Sequence, residues 1–146
     1  MSNSPADVAG DMLVTGLVVK LPGVGVTQAD WILKVGKVTS EPDRVVVMYD
    51  TPGRSPNPKW AVDFPSIQAL VRGKPNDYGA TWIKAREVRD KLLGVDSVDV
   101  GSDRWVSITC PGDVGFIGYD DSERPRFTVN FSLIIEPSAI GNREAL

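Results

Sequence analysis

With 146 residues, 42% of them hydrophobic and 24% charged, the chain has the size and composition of one folded domain with its own core. A formal charge of −3 and a pI near 4.9 exclude a surface that grips nucleic acid all round, because phosphate neutralisation needs clustered lysine and arginine. There is no histidine, which removes Ser-His-Asp and Cys-His nucleophile systems and His-ligated zinc, and the single cysteine, Cys110, cannot form an internal disulfide.

No signal-peptide core and no apolar run of about 18 residues stands out, so a chain made in the cytoplasm and not spanning a membrane is expected. The first element is a helix. Ser4 is placed to cap it, Pro5 to open it and Asp7 to meet its dipole. Val8, Met12, Leu13 and Leu17 recur at helical spacing before Pro22-Gly23 stops it. Two apolar runs follow, Trp31 to Val38 and Val45 to Tyr49, with Glu41-Pro42-Asp43 as a turn between them, and a hairpin is the simplest arrangement. Four consecutive apolar residues, Val45 to Met48, predict a strand covered on both faces and therefore interior to its sheet.

That strand runs straight into YDTPGRSPNPKW (Tyr49–Trp60), where three prolines, a glycine and two cations precede a tryptophan outside any periodic pattern. A reversing loop needs two to five residues, so a stiff stretch this long predicts a projecting loop with something resting against it. Trp60 either folds back over a core edge or joins Arg54 in an interface, where aromatic and arginine side chains concentrate.

Beyond the loop, SIQALVR alternates and predicts a half-buried strand with Ile67, Ala69 and Val71 on one face. The clearest helix comes next. Asn76 caps it, Tyr78, Trp82, Ala85, Val88 and Leu92 form one apolar stripe, Glu87 and Lys91 pair at i,i+4, and Gly94 ends it. The last third reads as three up-and-down strands, RWVSITC, VGFIGYD and RFTVNFSLII. In the third, Phe127, Val129, Phe131, Leu133 and Ile135 face the core. These elements predict an α+β fold: a mixed, mostly antiparallel sheet with an N-terminal and a central helix packed on it, forming one domain over residues 1–137. Residues 138–146 show no periodicity and are read as a tail.

Candidate chemistry is sparse. GVGV (Gly23–Val26) lacks the GK[ST] ending of a phosphate loop and is read as a connector. Asp120, Asp121 and Glu123 have carboxylates suited to a hard cation, but Arg124 and Arg126 interleave with them, favouring a solvated hairpin turn. Cys110 is expected to serve as a small buried hydrophobe on the face of Val106 and Ile108. Catalytic residues, metal and cofactor are therefore all expected to be absent, and the chain is not expected to be an enzyme.

A string of separately placed pieces resembles the minor capsid or tail terminator family of long-tailed, siphovirus-type bacteriophages. The pieces are YDTPGRSPNPK (Tyr49–Lys59), DFPSIQALVRG (Asp63–Gly73), the Tyr78–Gly94 helix, SDRW (Ser102–Trp105) and GYDDSERPRFTVNFSLIIEP (Gly118–Pro137). Together they cover most of the chain from about Arg44 to Pro137. The resemblance implies a structural virion protein at the head-tail junction, assembled in the host cytoplasm. It also implies a homohexameric ring that caps the tail tube, halts its growth and offers a joining surface to the head's connector or completion proteins, with DNA passing through the lumen. A head-completion or neck adaptor is the alternative. On either reading Asp50, Thr51, Pro52, Gly53, Arg54, Trp60, Arg72, Asp120 and Arg124 are the residues expected at a subunit or tube interface, and the acidic balance would keep phosphates from sticking in a lumen.

Overall fold

The computed structural model describes residues 4–23, 25–57, 62–101 and 103–137. Helix α1 (Pro5–Thr15) begins where the sequence places it: the Ser4 hydroxyl accepts from the Asp7 N–H at 3.3 Å. A second acceptor comes from far along the chain, the Asp50 carboxylate taking the Ala6 N–H at 2.9 Å, so two N–H groups that a helix start leaves unpaired are satisfied. The helix stops at Thr15, short of Pro22, and Leu17 lies outside it and is exposed rather than on the apolar stripe.

Among the described residues, seven strands form one sheet: β1 (Ile32–Val35), β2 (Val45–Asn57), β3 (Val62–Arg72), β4 (Val98–Val100), β5 (Asp103–Thr109), β6 (Gly115–Tyr119) and β7 (Pro125–Glu136). The order is β1-β2-β3-β7-β5-β4, with β6 also on β7. Val45 to Met48 are fully buried and lie between β1 and β3, as the unbroken apolar run requires. The expected β1–β2 hairpin is not formed. β1 runs parallel to β2, Ile32 opposite Val45 and Val35 opposite Met48. Gly36, at φ +78°, turns the chain out of β1, and residues 37–44 carry it back to the start of β2. A four-residue strand is short enough for so brief a return.

The larger correction concerns residues 51–57. They continue β2 as strand, paired antiparallel with β3 as far as Asn57 opposite Val62, and do not form a loop. Prolines are tolerated there because, among the described residues, no strand pairs with the other side of β2 beyond Met48. The register also shifts twice, between Thr51 and Arg54 and between Arg54 and Asn57. Gly53 is required by packing: a Cβ at that position would run into the Phe64 carbonyl oxygen. The Pro-rich stretch is thus a two-stranded arm.

β5 and β6 are likewise not up-and-down neighbours. Both pair with the same edge of β7, β5 along its second half and β6 along its first, so residues 103–119 act as one interrupted strand beside β7, broken at Cys110–Val114. A register shift between Trp105 and Ser107 turns the alternation, putting Trp105 and Ile108 in the core and leaving Val106 half-buried. Cys110 is partly buried, its thiol donating to the Gly112 carbonyl at 3.2 Å, and burial, followed by the Asp113 charge, pushes its pKa up.

Both helices pack on one face of the sheet, over Val46, Met48, Ile67, Ala69, Val71 and the five inward residues of β7. Helix α2 (Tyr78–Leu93) is capped by Asp77 rather than Asn76, which takes the left-handed conformation just before it. Its buried stripe keeps the expected Ala85, Val88 and Leu92, but at the start of the helix Thr81 lies inward in place of Tyr78 and Trp82, which are 45% and 38% exposed. Small residues let the helix approach the sheet closely, and Tyr78 packs edge-on to Phe127 and Phe116 at the margin instead. Lys84, not Lys91, bonds Glu87.

The opposite sheet face carries no helix among the described residues. Register places Thr51, Ser66, Ser132 and Thr109 in a row across four strands. Tyr49, Gln68 and Asn130 make the next row, in which the Gln68 amide donates to Asn130 at 3.0 Å.

Candidate assembly interface

The structure sorts the residues expected at an interface into two groups at opposite ends of the β2–β3 hairpin. Arg72 lies opposite Val45 and Arg54 opposite Phe64, so the groups stand about 30 Å apart along β2.

At the first end, β3 finishes and the β6–β7 turn begins. Arg124 is 8% exposed and its guanidinium donates through two of its nitrogens. Nε donates to Asp120 at 2.8 Å, and Nη1 donates to the Ser40 carbonyl at 2.6 Å and to Asp43 at 3.2 Å. Arg72, 3% exposed, donates to the Asp43 carbonyl at 3.1 Å and the Pro42 carbonyl at 2.6 Å. Burial, and then repulsion from Arg124, lowers the Arg72 pKa against the pull of Asp120, Asp43 and Glu41. Asp120 also accepts from the N–H groups of Ser122 and Arg124. Burial raises the Asp120 pKa, but these hydrogen bonds and the Arg124 guanidinium outweigh it and hold the carboxyl below the ordinary range. Two buried guanidinium groups so clamp the 40–43 return segment to the sheet. The carboxylate that looked available for a cation is already bonded, and among the described residues no group of three or more His, Cys, Asp or Glu is placed to hold a metal ion.

At the other end, the described side chains of β2 from Pro52 to Ser55 lie exposed. Pro52, Gly53 and Arg54 are exposed, and the Arg54 guanidinium lies 4.2 Å from the centre of the Phe64 ring. A cleft of about 440 Å³ sits on the helix side of the arm's base, between the first turn of α1 (Pro5, Val8), the arm (Thr51, Gly53, Phe64) and the β4–β5 edge (Val100, Trp105). A second, of about 380 Å³, lies against the hydroxyl-bearing face and is lined by Pro52, Arg54, Ser66, Ser132 and Thr109. Arg54 and Phe64 border both. Asp50, expected to face a partner, is spent capping α1. Trp60 and the tail at 138–146 lie outside the described residues. Sequence reasoning passed over Phe64 and Trp105; the signal for Phe64 was its place in DFPS, directly beyond the Pro-rich stretch.

What this arrangement offers is surface for binding: an exposed arm with a largely apolar cleft on one side and a hydroxyl-lined one on the other. No helix among the described residues is long and apolar enough to cross a membrane. No curated protein matches the chain significantly. The model of the family described as bacteriophage tail terminator protein matches residues 18–137, from the end of α1 through β7. The chain therefore belongs to the bacteriophage tail terminator family, a structural component of the virion tail that associates with other tail proteins.

Proposed function

We propose that the protein forms a homohexameric ring that caps the tail tube, stops its polymerisation and presents a joining surface to the connector or completion proteins of the head. The observation that carries this reading is the β2–β3 arm. A closed ring needs head-to-tail contacts in which one patch meets a different one, and an arm that is rigid before docking loses little entropy on binding. Arg54, Phe64 and the exposed Pro52-Gly53 supply its contact surface, with a cleft on each side to receive a neighbour or the tube. The protein acts by assembly, without turnover. Its net charge of −3 suits a lumen through which DNA slides, since carboxylates repel phosphates.

Electron microscopy of particles from a phage carrying an early stop codon in this reading frame tests the proposal. Overlong, headless tubes are expected. Tails of normal length lying free beside filled heads would move the protein to head completion, and intact infectious particles would overturn both roles.

A further inference from the structure

The end of α1 breaks a rule of helix termination. Val18 N–H donates to the Leu13 carbonyl and Leu17 N–H to the Val14 carbonyl, both at 3.0 Å, the bond pattern of a Schellman ending. The position after the cap must then be left-handed, and glycine normally fills it because it has no Cβ to clash. A glycine is present but one residue early: Gly16 has an ordinary φ of −80°, while Leu17 takes φ +63°. A bulky apolar residue is strained in that conformation. Its side chain is also 89% exposed, so the leucine contributes neither to the cap nor to the core of its own subunit. Leu21, 57% exposed, adds apolar surface nearby.

We propose that Leu17 of one copy inserts into the cleft at the base of the arm of the next copy, forming the head-to-tail contact of the ring; this rests on the ring reading above. Knob and cleft lie at opposite ends of one helix, about 16 Å long: the cleft is lined by Pro5 and Val8 of its first turn, and Leu17 follows its last. Two different, separately placed patches are what a repeating head-to-tail contact requires. The cleft's apolar wall, built from Val8, Phe64, Pro65, Val100, Trp105 and Ile135, has the chemistry to take a leucine.

Charge favours the same pairing. Around the cleft are Asp7 in the first turn of α1, Asp50 at its cap, and Asp63 and Asp103 in the lining, with Arg54 as the cation among them. Around the knob are three lysines. Lys20 pairs with Asp30, Lys84 bonds both the Val18 carbonyl and Glu87, and Lys91 lies against Gly16. With Lys20 and Lys84 offset by Asp30 and Glu87, Lys91 is the lysine left to face the acid-rich socket, a modest charge contrast that helps orient the encounter.

Leu17→Gly and Leu17→Asn separate this contact from folding, because both residues accept the left-handed conformation. Each variant is expected to keep Tm within roughly 3 °C of the wild-type chain or raise it. Each is also expected to self-associate at least about tenfold more weakly by sedimentation, the loss of one buried leucine. In a Cys110→Ser background, Leu17→Cys combined with Val100→Cys should give a ladder of cross-linked oligomers under mild oxidation, whereas either cysteine alone should not. Unchanged association of the Leu17 variants and no ladder, with the wild type still oligomeric, would overturn this contact and leave the ring reading standing. A wild-type chain that stays monomeric at every concentration and on tail tubes would overturn both.

Discussion

The two ends of the β2–β3 hairpin use the same residue types, arginine, aspartate and proline, for opposite purposes. At the Arg72–Arg124 end Nε and one terminal nitrogen of each guanidinium donate to a carbonyl or carboxylate of the same chain, whereas at the arm Arg54 lies exposed on Phe64. One end closes the fold and the other leaves its side chains on the surface. An arginine in a charged turn is therefore no guide to an interface until its donors have been followed to their acceptors, since a guanidinium with satisfied donors has little left to offer a neighbour.

The contrast can be broken by substitution. Arg124→Met strands Asp120 and Asp43 and frees the Ser40 carbonyl, so stability in urea should fall by about 3 kcal/mol while amide exchange in the arm stays as it was. Gly53→Ala forces the Phe64 carbonyl aside. It should cost about 1–2 kcal/mol and loosen arm amides selectively, sparing the arginine clamp.

Acid sharpens the comparison further. Asp120 has a folded pKa below its unfolded value, so its contribution is complete above the ordinary carboxylate range and is lost as pH falls through the folded pKa. Wild-type stability should therefore drop on acidification below about pH 4, and Asp120→Asn, less stable at neutral pH, should show a flatter acid limb in the same unfolding series. The smallest effect on stability belongs to Arg54→Ala, within about 0.5 kcal/mol of wild type because the side chain is exposed. Its expected signature is weaker binding to tail tubes in a pelleting assay.

Where sequence and structure agree, the deciding physics is local. The alternation of β7 places Phe127 through Ile135 on the core whatever pairs beside it, and Ser4, Pro5 and Asp7 start α1 within one turn of themselves. Where they part, distant partners decide. The parallel β1–β2 pairing depends on a return segment held by Arg72 and Arg124, residues 30 and 84 positions further on than the carbonyls of Pro42 and Ser40 that they bind. Only the start of the α2 stripe differs, Thr81 lying inward in place of Trp82 because the sheet beneath admits a small residue there. Of the assembly surface, the Pro-rich stretch was legible as unusual, but its strand conformation was not, because prolines signal strand only once an edge is known to be free. Leu17 was hidden by helical spacing that continued past the real end of α1.

That free edge of β2 has a kinetic consequence. Pro52 and Pro56 bring no N–H to it, and two register shifts keep it from lying flat, so a passing strand finds no ladder to copy. Copies of the chain in solution are thereby hindered from zipping together through their backbones at this edge. Association is left to side-chain shape and charge, which read the identity of the partner.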